Sequence, residues 1–120
     1  MVTNSTLTVE APQTALETVV APVYSEVETI IRNVANKYGI SEDYFVNLAR
    51  CESTLNPSAV NYDYYAGGGN PTGLFQYLPE TWTRLSNESG IYGDIWNAQD
   101  NAELTGWAFA NGHSGEWACK

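Results

Sequence analysis

A glutamate falls on the apolar stripe of a helix that a proline then cuts short. Phe45, Leu48, Ala49 and Glu52 recur at three- and four-residue spacing, which places them on one helical face. Ser41, Glu42 and Asp43 ahead of them read as a cap and an acidic first turn. Asn56-Pro57 stops the helix near Thr54, because the residue before a proline is pushed out of the helical region. Glu52 is therefore expected in the last turn, where the helix dipole disfavours an anion and partial desolvation acts in the same direction. Both effects favour the protonated acid. The alternative is a glutamate that is simply solvated or ion-paired.

The 120 residues, 43% hydrophobic and 16% charged, suffice for one small domain around one core and are too few for two. Fourteen acidic residues against five basic ones give a formal charge of -9. That balance argues against nucleic acid as a partner and against electrostatic attachment to an anionic membrane. Neutral or cationic polymers, small molecules and proteins stay open. Cys51 and Cys119 are either two free thiols or a disulfide; the bridge is the favoured reading, and with it an oxidising, extracytoplasmic setting. There is no Cys-x-x-Cys pair and His113 is the single histidine, so no metal or other cofactor is expected. Neither a basic leader nor a long apolar run is visible, so no signal peptide or transmembrane segment is expected in this stretch.

Residues 1–22, rich in Thr, Ser and Val around Pro12, read as a flexible lead-in or linker remnant, and 23–120 as the folded domain. Val27, Ile30, Ile31, Val34 and Tyr38 form a helical stripe that Gly39 ends. After the Glu52 helix, three tyrosines (Tyr62, Tyr64, Tyr65) run into Gly67-Gly68-Gly69, which predicts an extended segment, a small hairpin or a groove wall. Its glycines lack the lysine and spacing of a phosphate-binding loop. Pro79 suits the first turn of a helix to about Asn87, with Trp82 and Leu85 inward. A last helix begins near Asn97, carries Leu104, Trp107, Ala108 and Asn111 on one face, and stops at Gly112. Trp82, Trp96 and Trp107 are read as core. The fold class is mainly α: a compact single domain with a Tyr/Gly-rich loop or small hairpin beside a cleft.

Four stretches in order, Ala49-Arg50-Cys51-Glu52-Ser53-Thr54-Leu55-Asn56-Pro57, Gly73-Leu74-Phe75-Gln76, Pro79-Glu80-Thr81-Trp82 and Ala108-Phe109-Ala110-Asn111-Gly112, resemble the soluble lytic transglycosylase branch of the lysozyme-like superfamily. The chain is also similar to the small secreted resuscitation-promoting factors, which share a catalytic glutamate and a disulfide. The resemblance covers roughly residues 23–119. It implies a lysozyme-like fold and cleavage of the β-1,4 bond between N-acetylmuramic acid and N-acetylglucosamine in peptidoglycan, with a 1,6-anhydromuramoyl product.

By that likeness Glu52 is the catalytic acid, Gln76 lines the cleft and Ser53 helps hold the glutamate. Asn97 and Asn111 fall near cleft positions. Tyr77, Trp117 and the loop tyrosines, Tyr62 among them, are candidates to stack on sugars. Where many members carry a tyrosine that orients the catalytic carboxyl, this chain has Phe109; either Tyr77, Tyr92 or a loop tyrosine is the substitute donor, or Glu52 is held by backbone and Ser53 alone. Asp63 would orient water if the reaction were hydrolytic. A hydrolytic muramidase and a non-catalytic peptidoglycan-binding domain are the rival readings. The expected setting is extracytoplasmic, cell-wall- or virion-associated, as a monomeric domain that suits a larger, tethered protein.

Overall fold

Ser25 and Gly39 set the ends of the first helix. In the computed structural model, which describes residues 23–64 and 69–119, α1 spans Glu26–Tyr38, with the Ser25 side chain accepting from the Glu28 amide at 3.1 Å and Gly39 left-handed at φ 73°. Helix α2, Glu42–Ser53, starts at Ser41, whose hydroxyl accepts from the Tyr44 amide at 3.3 Å. It ends one residue before the expected Thr54, because Thr54 and Leu55 both turn left-handed, at φ 54° and 62°. Such backbone costs on the order of 1 kcal/mol or more per residue unless its surroundings enforce it. Ser53 enforces it: its hydroxyl donates to the Ala49 carbonyl at 3.1 Å and accepts from the Asn56 amide at 3.2 Å.

Helix α3, Pro79–Ser89, runs past the expected Asn87 because nothing breaks it before Gly90, which caps it at φ 76°. Helix α4, Ala98–Ala110, is capped by Asn97, whose side chain accepts from the Asp100 amide at 3.0 Å. The single expected inward face of α4 proves too narrow. Asn101, Ala102, Leu104, Thr105, Gly106 and Ala108 are all buried, whereas Trp107 is half-buried and Asn111 exposed. The reason is that α4 is covered from several sides, by α1, by α3 and by the Gly73–Gln76 turn. Gly106 permits the closest crossing, since a Cβ there would stand 2.8 Å from Val34 Cγ1 and collide with the Tyr38 ring.

The core joins these helices through Ile31, Ala35, Phe45, Phe75, Leu85 and Leu104, with the Phe45 and Phe75 rings 4.7 Å apart. Arg32 of α1 ties the start of α2, reaching Asp43 at 2.9 Å and Glu28 at 3.0 Å. The Tyr/Gly-rich segment closes back as a narrow hairpin: Val60 bridges Thr72, Thr72 bridges Tyr77, and the Asn61 amide donates to the Pro71 carbonyl at 3.0 Å. Among the described residues these isolated bridges do not build a sheet. The fold is a mainly helical single domain.

Trp96 is a correction. It stands 48% exposed because the turn before α4 projects it outward, while Trp82 and Trp107 are half-buried against the core. The expected lead-in over 1–22, together with Tyr65, Gly67 and Gly68, lies outside the described residues. Among the described residues no helix is long and apolar enough to cross a membrane.

Candidate active site

The last turn of α2 aims Glu52 into an open groove of about 520 Å³. One wall is the hairpin, which contributes Asn61, Tyr64, Pro71, Gln76 and Leu78; the other is the C-terminal strap Glu116 to Cys119. The strap leaves a single 3-10 turn, Ser114–Glu116, and returns to α2 through the Cys51–Cys119 disulfide, Cα to Cα 6.1 Å. Glu52 follows Cys51 directly. The bridge therefore sets the Cys119 backbone beside the Glu52 carboxyl, and the Cys119 amide hydrogen-bonds it.

Glu52 is half-buried. Burial pushes its carboxyl above the ordinary range, and the Cys119 amide pulls it partway back by favouring the charged form. Burial outweighs the amide, so the carboxyl at the groove wall stays above its ordinary range.

The opposite wall is fixed from inside the domain. Gly73 has φ 85°, and a Cβ there would stand 2.6 Å from both Asn101 Nδ2 and the Ile95 carbonyl. Asn101 is fully buried; its Oδ1 accepts from the Phe75 amide at 3.0 Å and its Nδ2 donates to the Ile95 carbonyl at 2.9 Å. From the other side the Trp117 indole donates to the Phe75 carbonyl at 2.8 Å. Held at both peptide faces of Phe75, the chain turns Gln76 left-handed, φ 57°, into the groove. The Gln76 amide nitrogen donates to the Gly73 and Ala59 carbonyls at 2.9 and 3.2 Å. Its oxygen remains as an acceptor.

A carboxyl with a raised pKa opposite an amide, at the lip of a groove open enough for a polymer, can protonate and release an ether-type oxygen. The family model for the transglycosylase SLT domain matches residues 29–110, more than half of the chain. The chain belongs to this family. No curated protein and no solved structure matches it. The strap that carries Trp117 and Cys119 lies beyond the matched span of the SLT domain.

Of the residues expected at the site of this SLT domain, Glu52, Tyr64, Gln76, Trp117, Cys51 and Cys119 meet at the groove. Trp117 is only 4% exposed, so it closes the groove floor. The structure does not bring the others there. Ser53 is buried in the turn behind Glu52. Tyr77 is buried, with its hydroxyl 2.9 Å from Thr105 Oγ1; Thr105 gives its proton to the Asn101 carbonyl at 2.7 Å, so Tyr77 donates. Asn97 caps α4 beside a separate depression, and Asn111, at the other end of α4, donates to the Trp107 carbonyl. Tyr62 and Asp63 are exposed and do not line the groove.

Glu116 in the groove lining and Asn101 buried behind it escaped sequence reasoning. Glu116 is a second carboxylate, held by Arg84 at 2.8 Å, and no spacing rule links it to Glu52. Asn101 was signalled only by its place one turn before Leu104 and Thr105 on the same face. Phe109 packs its ring against Phe45 at 5.8 Å and Trp117 at 5.4 Å. Two of the tyrosines expected to replace its missing hydroxyl look elsewhere, Tyr77 to Thr105 and Tyr92 to Asn87 at 2.9 Å, while Tyr64 of the loop lines the groove. The donor on Glu52 is the Cys119 amide.

Proposed function

We infer that this SLT domain is a peptidoglycan lytic transglycosylase acting on the N-acetylmuramic acid to N-acetylglucosamine β-1,4 bond. The observation that carries the reading is the Glu52 carboxyl, raised by burial yet held by one amide in an open groove. Protonated Glu52 donates to the glycosidic oxygen as its bond to the anomeric carbon breaks and positive charge develops there. The muramic acetamido carbonyl covers that carbon. Glu52, now a carboxylate, takes the proton from the C6 hydroxyl of the same sugar, whose oxygen attacks the anomeric carbon and displaces the acetamido oxygen. The nucleophile is part of the substrate, so one free carboxyl suffices.

The rival is hydrolysis, in which a second carboxylate would hold water. Asp63 is outside the groove, and Glu116, the other carboxylate lining it, is occupied by Arg84; this favours the internal attack. The disulfide suits an oxidising, extracytoplasmic setting.

Mass spectrometry of products from purified peptidoglycan, for the wild type and Glu52→Gln side by side, tests the reading. Anhydromuropeptides from the wild type alone support it. Reducing-end fragments that vanish in Glu116→Gln would establish a muramidase instead, and no fragments from either form would leave a binding domain.

A further inference from the structure

We propose that the depression beneath Trp96 is a second glycan site, which takes N-acetylglucosamine units of the same β-1,4-linked strand that the groove is read to cut. It lies between the first turns of α1 and α4, holds about 340 Å³, and shares no lining residue with the Glu52 groove. Small-ligand sites occupy roughly 300–1,000 Å³.

The turn that displays the indole has a braced backbone. Asp94 Oδ1 accepts from the Trp96 amide at 2.9 Å, Asp100 Oδ2 accepts from the Asp94 amide at 2.9 Å, and the Asn97 amide donates to the Asp94 carbonyl at 2.9 Å. Asn101 grips the Ile95 carbonyl from within. On so braced a turn the backbone that carries the tryptophan has little freedom left to lose on binding. Its ring face suits the C–H face of a pyranose.

The remaining lining extends that chemistry. Val27, Ile30 and Pro57 supply apolar surface, and Asn97 and Gln99 supply amides. Asn97 Oδ1 is spent on the Asp100 amide, which leaves the Nδ2 donors for an acetamido carbonyl or a hydroxyl. Glu26 is the single charged residue of the lining. With a carboxylate and no cation present, the site disfavours phosphate and lactyl carboxylate groups and accepts hydroxyl donors. Pro57 belongs to the segment that leaves the Glu52 turn, so this site and the groove flank one stretch of chain. A second contact on one polymer raises the local concentration of strand at the groove without any change in the groove.

The inference goes beyond the proposed reaction, and its first test needs no turnover. In the Glu52→Gln variant, titration with chitotetraose followed by NMR should shift the Trp96 indole N–H saturably. In the otherwise wild-type chain, Trp96→Ala, with its melting temperature checked, should cut turnover of insoluble sacculi about tenfold and leave release from short soluble muropeptide oligomers unchanged. A Trp96 signal that stays fixed while Gln76 shifts would overturn the proposal. So would a Trp96 signal that moves with protein concentration in the absence of sugar, which would mean that a second copy of the chain sits there. Absence of sacculus turnover in the wild type would instead count against the reaction, because the binding arm is read separately.

Discussion

The Cys119 amide is the hydrogen-bond donor on the Glu52 carboxyl, and Cys119 is brought there by its bond to Cys51, the neighbour of Glu52. Covalent structure thus performs a task that a side-chain hydroxyl performs elsewhere. Cys119→Ala with Cys51→Ala should lower stability by on the order of 4 kcal/mol, since the bridge closes a separation of 68 residues. In the fraction that stays folded, loss of the amide leaves the carboxylate less favoured. The alkaline limb of the kcat/KM profile should move to higher pH while kcat falls. An unchanged limb would show that the strap does not hold Glu52.

Glu52→Gln should reduce turnover by about 10²- to 10⁴-fold, the usual weight of a positioned acid. It should also stabilise the fold near neutral pH. The folded carboxyl has a raised pKa, so its protonated form favours folding and that contribution is lost as pH climbs from the unfolded value through the folded one. The gain in melting temperature of Glu52→Gln should therefore be present at about pH 7 and absent near pH 4. Differential scanning calorimetry at both pH values decides it.

Asn101→Ala should cost roughly 2–4 kcal/mol, because it strands the Phe75 amide and the Ile95 carbonyl in a buried site. It should also raise KM, since the Gln76 turn loses its inner support. Denaturant melts and kinetics on the same preparation separate the two effects, and a wild-type KM would remove Asn101 from the site's support.

Glu103 secures the crossing of α1 and α4. Burial pushes its carboxyl up, but hydrogen bonds from Lys37 at 2.5 Å and from Tyr38 prevail and hold it below the usual range. Its contribution is full above the unfolded pKa and fades as pH falls through the folded one. Glu103→Gln should destabilise by on the order of 1 kcal/mol at neutral pH and by less in acid. A penalty that grows with acidity would refute this account.

The helices were legible because their caps and periodicities are local: the Val27 to Tyr38 stripe with Gly39, Ser41 with the Ala49 and Glu52 stripe, and Pro79 at a helix start. Glu52 was legible as an acid on an apolar face. Ser53, Tyr77, Asn97 and Asn111 were named for the cleft, yet Ser53 and Tyr77 are buried and hydrogen-bonded within the fold, and Asn97 and Asn111 stand at the two ends of α4, away from the groove. Glu116 and Asn101 went unread for the opposite reason. Their roles are pairings with Arg84, Phe75 and Ile95 across the chain, which neither composition nor helical spacing encodes. Trp96 was assigned to the core on hydrophobicity, and only the Asp94 to Asp100 bracing of its turn explains why it faces out.

The five basic residues against fourteen acidic ones have a kinetic consequence. Arg32, Lys37 and Arg84 are engaged by the protein's own carboxylates, and Arg50 by Asn47. A surface whose described cations are so occupied has little electrostatic grip on a polyanion. Each encounter with such a polymer should then be brief, more so in dilute salt, where repulsion is least screened. The domain would cut and depart, sampling many strands in turn instead of tracking along one, and any lasting residence on a strand would have to come from uncharged contacts.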